Sequence, residues 1–173
     1  MGLLALSAIG KDRPGIVAGV TKVLFELGCN LADCSMTLLS GQFAMILLVE
    51  APDAVPASHL EEALTAPATD LGLTFSLREV AAAESPESLH PFVISVYGGD
   101  RPGIVYRVAA ALAGRGVNVT DLVSRVASGV YTVMLDVDLP SSVEPDALAA
   151  ELADLAKDLG VVVAMRPAET EEL

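Results

Sequence analysis

The sequence predicts an α+β fold made of two tandem βαββαβ units, each a four-stranded antiparallel sheet with two helices on one face. Three observations predict it. Sliding the 173-residue chain by 88 sets Asp12-Arg-Pro-Gly-Ile-Val17 on Asp100-Arg-Pro-Gly-Ile-Val105 without a gap, and 13 of the 30 positions from 12 to 41 match their copies. The register continues through Gly28/Gly116, Asn30/Asn118, Asp33/Asp121, Gly41/Gly129, Pro52/Pro140, Gly72/Gly160 and Arg78/Arg166. Apolar spacing then switches between strand and helix periods in the same order in both halves. A repeat of this length marks domains, since solenoid units run about 20–50 residues. The boundaries read as 1–82 and 91–173, with the polar, proline-bounded 83–90 as linker.

Each element follows from its residues. Leu3–Ile9 and Phe92–Tyr97 are short, mostly apolar and stop at glycine, as half-covered strands do. Ile16, Val20, Val23, Leu24 and Leu27 fall at helical spacing, as do Ile104, Val108, Ala111 and Leu112. Pro14 and Pro102 suit the first helical turn, and Gly28 and Gly116 suit the left-handed residue that ends a helix. Asn30–Leu39 and Gln42–Glu50 form a hairpin through Ser40-Gly41, copied at Ser128-Gly129. A second helix covers about 56–70 and its copy 144–158, carrying Leu60, Ala63, Leu64 and Leu71, and Leu148, Leu152, Leu155 and Leu159. Leu73–Val80 and Val161–Met165 close the units, and the acidic tail 168–173 is expected to fray. This order is the split βαβ, ferredoxin-like arrangement. It leaves one sheet face and two strand edges uncovered, which invites edge-to-edge or face-to-face pairing.

Composition narrows the function. Ten Lys+Arg against 23 Asp+Glu give a net charge of −13. Nucleic acid and anionic membranes bind through clustered cations, so both are disfavoured as partners. Uninterrupted apolar runs fall short of the roughly 18 residues that suggest a membrane span, and the start of the sequence lacks the features of a secretory signal. A cytoplasmic protein is expected. Cys29 and Cys34, five apart in one predicted strand, should face opposite sides and stay reduced. With His59 and His90 they make no zinc spacing, so neither metal nor cofactor is expected.

The loop between first strand and first helix is where chemistry concentrates. Gly10-Lys-Asp-Arg-Pro-Gly-Ile16 and Gly98-Gly-Asp-Arg-Pro-Gly-Ile104 lead into a helix N-terminus, whose free N–H groups accept a carboxylate or phosphate. Gly15 and Gly103 let a ligand approach the backbone closely. Asn30 and Asn118 open the next strand and can donate or accept. The two ends of a free amino acid match these groups. A scaffold reading fits the same residues: Asp12 capping the helix, Pro14 fixing a dihedral, Gly15 easing a turn.

Gly-Lys-Asp-Arg-Pro-Gly-Ile-Val, followed by a helix and Gly-Cys-Asn, resembles the ACT domain, a small regulatory module that binds amino acids. Two such units resemble the glycine cleavage system transcriptional repressor group of tandem ACT proteins. The resemblance implies a ligand where the loop of one unit meets the second strand of another. It points to Asp12, Arg13, Pro14, Gly15, Ile16 and Asn30, and to Asp100, Arg101, Pro102, Gly103, Ile104 and Asn118. The copies differ at Lys11/Gly99 and at Val17-Ala-Gly19/Val105-Tyr-Arg107, which argues against equal affinity. Two or three charge-assisted hydrogen bonds of about 1.5–3 kcal/mol each, set against an association cost of at least about 4, give a roughly micromolar to millimolar Kd.

The expected function is thus an amino-acid-binding regulatory protein, a homodimer whose assembly or partner binding changes with ligand and which acts on amino-acid metabolism through a protein partner. A ligand-free interaction module is the alternative. An acylphosphatase-like hydrolase, pairing Arg13 with Asn30 or Arg101 with Asn118, is weaker. Proline interrupts the successive N–H groups that a phosphate cradle needs, and no catalytic triad or carboxylate pair is apparent. RNA recognition would need aromatic platforms and a basic field, and Phe43 and Tyr131 are the third strands' only aromatics.

Overall fold

Leu4, Leu6 and Ala8 alternate with more exposed neighbours, so the first apolar stretch forms a strand with one buried face, β1 (Gly2–Lys11). It is followed by α1 (Ile16–Glu26), β2 (Asn30–Leu39), β3 (Gln42–Ala51), α2 (Ala57–Leu71) and β4 (Leu73–Glu79). The second half repeats the order with β5 (Leu89–Gly98), α3 (Ile104–Gly114), β6 (Asn118–Ala127), β7 (Val130–Pro140), α4 (Pro145–Leu159) and β8 (Val161–Pro167). The computed structural model describes residues 2–81 and 89–168, and the chain divides into units Met1–Glu84 and Ser85–Leu173. Most of the expected linker and all but Ala168 of the acidic tail lie outside the described residues. Leu89 and His90 belong to β5, and the Ala168 N–H bonds the Pro91 carbonyl at 2.9 Å.

Both sheets are antiparallel, in the spatial orders β2-β3-β1-β4 and β6-β7-β5-β8. In the first unit Leu6 and Ala8 of β1 and Leu47 and Val49 of β3 meet Ile16, Val20 and Leu24 of α1 and Leu60 and Leu64 of α2. In the second, Ile94, Val96, Val133 and Leu135 meet Ile104, Val108, Leu112, Leu148 and Leu152. The opposite face of each sheet carries Ser7, Ile9, Ile46 and Thr74, or Ser95, Tyr97, Met134 and Val162. No helix is long and apolar enough to cross a membrane, among the described residues.

Turn chemistry decides the ends. Ser40 and Gly41 both have positive φ, 49° and 76°, as do Ser128 and Gly129, giving the paired left-handed residues that suit a two-residue hairpin. Gly28 and Gly116 take the expected left-handed conformation. The helix starts differ from the sequence reading. Gly15 (φ 97°) and Gly103 (φ 93°) are the N-caps and no side chain caps either helix, so Pro14 and Pro102 precede the helices instead of lying in their first turns. Asp12 is therefore not the cap.

The edge strands contain a second departure. The β2–β3 register shifts between Leu31 and Asp33, and the β6–β7 register between Val119 and Asp121, leaving Ala32 and Thr120 as bulge residues. Leu31 and Cys34 consequently lie opposite the buried Val49 and Leu47, on one face. Cys29, just before the strand, packs against the same core. The alternation that would set the two cysteines on opposite sides is thus broken. Both are free, and burial pushes the Cys29 thiol above its ordinary value.

Candidate ligand-binding site

The loop is fastened at both ends and open in the middle. The Asp12 N–H donates to the Gly41 carbonyl at 2.9 Å, tying the exit of β1 to the hairpin turn. The Gly15 carbonyl accepts the Gly19 N–H at 2.8 Å and the Gly103 carbonyl accepts the Arg107 N–H at 2.9 Å, the first helical bonds. A methyl group built on Gly15 or Gly103 would touch nothing within 4 Å, so both first turns are approachable from outside. No side chain caps them, so their leading N–H groups have no side-chain partner at the positive dipole end of each helix.

Other residues of the motif hold the scaffold. Ile16 and Ile104 are 2% and 1% exposed, so their side chains anchor the helices in the core while their backbones remain in the first turns. Arg13 Nη1 donates to the Asp70 carbonyl at 3.3 Å and Arg101 Nη1 to the Leu159 carbonyl at 3.4 Å. Each guanidinium thus sits at the C-terminal end of the second helix of its unit, where a cation meets the negative dipole end. The units differ beside it: Arg107 pairs with Asp158 at 3.5 Å, whereas at Gly19 any Cβ would strike Leu71 Cδ1 at 2.7 Å.

Asn30 and Asn118 lie elsewhere. Asn30 opposes Glu50, and Leu39 opposes Gln42, which also opposes Lys11. Eight residues of β3 therefore separate the Asn30 row from the loop row, roughly 27 Å at a strand's rise per residue. One unit alone does not bring Asn30 to Asp12–Ile16, and the same topology separates Asn118 from Asp100–Ile104. This also separates Arg13 from Asn30 and removes the intra-unit pairing that an acylphosphatase-like site needs.

Sequence reasoning missed two carboxylates. Asn30 Nδ2 donates to Glu50 Oε2 at 2.9 Å, leaving Asn30 Oδ1 as an acceptor beside the carboxylate. In the copy Asn118 opposes Asp138. The two-residue hairpin alone would set Asn30 opposite Ala51, and the bulge moves it to Glu50. Each foot of a sheet therefore presents acceptors suited to an ammonium group, and each loop presents donors suited to a carboxylate. A shallow depression of about 450 Å³ on the open face of the second sheet is lined by Asp121, Val123, Arg125, Thr132, Met134 and Asp136. Phe43, at 2% exposure, is a core residue with no face for a base to stack on. No cluster able to hold a metal ion is found among the described residues.

Two helix-backed antiparallel sheets, each with a glycine-opened loop at a helix N-terminus, define a tandem ferredoxin-like protein of the α+β class. The chain belongs to the ACT domain family, whose model matches residues 3–78 and 90–166. It is 28% identical over 123 residues to the glycine cleavage system transcriptional repressor of Escherichia coli (strain K12), covering 70% of this chain and 64% of that one. The match thus spans less than two thirds of that relative's length. A UPF0237 protein of Methanocaldococcus jannaschii is 42% identical over 74 residues, 42% of this chain and 82% of the other. A solved protein from Galdieria sulphuraria superposes with a TM-score of 0.83 at 26% identity, covering 97% of this chain and 99% of that one. A structure provisionally assigned as a glycine cleavage system transcriptional repressor superposes with a TM-score of 0.73 at 18% identity over 98% of each chain, a likeness of fold.

Proposed function

We propose that this chain is a regulatory sensor of a free amino acid, not an enzyme, and that the ligand binds where two copies of a unit meet along their β2 or β6 edges. The observation that carries the reading is the position of the two half-sites at opposite ends of one exposed edge strand. Asn30 begins β2 and the Ser40-Gly41 turn, tied to Asp12, ends it. When two such edges run antiparallel, the Asn30 end of each stands beside the loop of the other. The carboxylate then meets the N–H groups at Gly15 and Ile16, and the ammonium meets Asn30 Oδ1 and Glu50. Gly103, Ile104, Asn118 and Asp138 take the same roles in the copy.

The sites assigned are Asp12, Arg13, Pro14, Gly15, Ile16 and Asn30, with Asp100, Arg101, Pro102, Gly103, Ile104 and Asn118. Arg13 and Arg101 act by holding the loop against the second helix, and the two isoleucines act through their backbones. Ligand binding tightens the dimer and alters its contact with a protein partner, the route by which so acidic a chain regulates amino-acid metabolism in the cytoplasm. The repressor relative supports that assignment. A thermal-shift screen over the twenty amino acids tests it: a ligand at 100 times its Kd stabilises by about 2.7 kcal/mol. Asn30→Ala with Asn118→Ala removes the shift. A flat screen on a folded dimer refutes the sensor.

A flat screen would favour assembly without ligand. That second reading draws on the apolar side chains along the same edge, with Phe25 82% exposed on α1 and Leu38 and Leu39 exposed on β2.

A further inference from the structure

We propose that two chains pair through their second units, β6 against β6 in antiparallel register centred on Val123, with each Asp121 opposite the partner chain's Arg125. The proposal goes beyond the sensor reading by choosing the edge, the register and the partner, which is a second copy of this chain.

The choice starts from which edges are open. Each sheet ends in one long and one short edge strand. β4 and β8 have seven residues, and β8 ends at Pro167. β2 and β6 have ten, with neither proline nor lysine to discourage a neighbour, and nearly every residue of both is exposed. An unpaired row of N–H and C=O groups of that length is a template for another strand.

Charge then separates β6 from β2. Asp121, Val123 and Arg125 alternate on the open face of β6, opposite Asp136, Met134 and Thr132 of β7. Asp121 and Asp136 are thus like charges directly opposite each other, an arrangement that destabilises a sheet. Among the described residues no ion pair relieves them and Arg125 has none either. Arg125 lies four residues from Asp121, and Arg166 is two strands from Asp136, beyond Val93. The β6–β7 pair thus carries two uncompensated acids and one unpaired cation at fixed spacing.

An antiparallel two-fold through Val123 satisfies both. Residues 121 and 125 exchange across such an axis, so each arginine comes opposite one Asp121 and beside its Asp136, twice per dimer. An isologous interface of this kind is closed and self-complementary. Shifting the axis by one residue sets Asp121 against Ala127 and loses both pairs. In β2 the same positions are Asp33, Ser35 and Thr37, with Leu48 across from Asp33, so β2 has neither the acid pair nor the cation. A β6 set against the β2 of another chain keeps one pair, Asp33 with Arg125. On the other side of β6, Leu122 and Val126 (60% exposed), with Tyr106 of α3 at 75%, supply apolar surface for a second layer. The Val123 register also brings Asn118 to within a residue of the partner chain's Ser128, where the composite ligand site requires it.

Two measurements on the full chain test the proposal. Sedimentation equilibrium gives the dimer dissociation constant: Arg125→Asp and Asp121→Arg each raise it at least tenfold, and the double exchange returns it to within threefold of the native value. Thr37→Asp and Asp33→Arg leave it unchanged. In a Cys29→Ala/Cys34→Ala background, Val123→Cys forms a disulfide between chains on mild oxidation, since residues directly opposite have Cα atoms about 4.5–5.5 Å apart. Single reversals without effect, a double exchange without rescue, weakening by Asp33→Arg or failure of the Val123→Cys chains to cross-link overturns it. Amino-acid binding that persists in the same variants would leave the sensor reading standing while this interface falls.

Discussion

Gly10 and Gly15 lie five residues apart, yet the structure gives them opposite roles, and a pair of substitutions separates these. A Cβ on Gly10 would meet the Gly72 carbonyl oxygen at 2.6 Å and Leu73 Cδ2 at 2.8 Å. That carbonyl belongs to the left-handed residue ending α2, and Leu73 opens β4 directly opposite Gly10, so it moves only if the end of the β1–β4 ladder opens. Gly10→Ala should therefore cost about 1–3 kcal/mol, as overpacking does. In a unit of this size that lowers Tm by roughly 4–8 °C per kcal/mol. Gly15 has open space around it and a φ of 97°, so Gly15→Ala costs backbone strain alone, about 1–2 kcal/mol. Asparagine distinguishes the two causes. It tolerates positive φ, so Gly15→Asn should be milder than Gly15→Ala, while its larger side chain makes Gly10→Asn worse than Gly10→Ala. Urea unfolding of the four variants reads the order, and the thermal-shift screen adds that both Gly15 variants lose ligand while Gly10→Ala retains it. A Gly10→Ala within about 0.5 kcal/mol of the native protein, the range of an ordinary surface change, would refute the contact argument. A Gly15→Asn worse than Gly15→Ala would refute the strain argument.

Other outcomes are equally measurable. Leu60→Ala and Leu148→Ala truncate side chains 0% and 1% exposed in equivalent helices and should each cost about 2–5 kcal/mol in urea unfolding. Ser40→Asn relieves an unfavourable residue at φ 49° in a two-residue hairpin and should raise stability by about 0.5–1 kcal/mol, read as a higher unfolding midpoint. Iodoacetamide at mildly alkaline pH should label exposed Cys34 before Cys29, whose thiol burial pushes up from its ordinary 9.0. Because the native Cys29 holds its proton more tightly than the unfolded one, its stabilisation is complete below pH 9.0 and is lost as pH rises through the raised value.

The element order was legible because both copies of the sequence carry the same apolar periods and the same glycines at helix and hairpin ends. The helix starts were misread for a physical reason. Proline is common at the first helical position, but here a left-handed glycine stands between Pro14 and Ile16 and pushes the proline out of the helix. The separation of Asn30 from the loop was readable from connectivity, since a helix following β1 returns the chain to the foot of the sheet. The contact with Glu50 was not. Hairpin counting sets Asn30 opposite Ala51, and only the bulge at Ala32, which has no distinctive residue, corrects it. The same slip defeated the alternation argument for the cysteines. The acid pair of Asp121 and Asp136 follows from hairpin counting through Ser128-Gly129, because both residues lie on the turn side of the bulge.

The place of β1 in its sheet has a consequence for synthesis. It lies between β3 and β4, so the first strand made is the last to be enclosed. β4 begins at Leu73, 62 residues after Lys11, which is roughly 3–12 s of translation at ordinary speeds. During that interval β3 covers one edge of β1 while the other stays open, and later β5 emerges as a strand of the same length with the corresponding neighbours in its own sheet. Repeats this alike are prone to exchange strands. The inward residues discriminate between them: Ile94 and Val96 of β5 would stand where the first core holds Leu6 and Ala8. Val96 in the place of Ala8 adds two methyl groups to a filled interior, an overpacking of about 1–3 kcal/mol against the wrong strand. The divergence between the two cores thus disfavours the exchanged pairing.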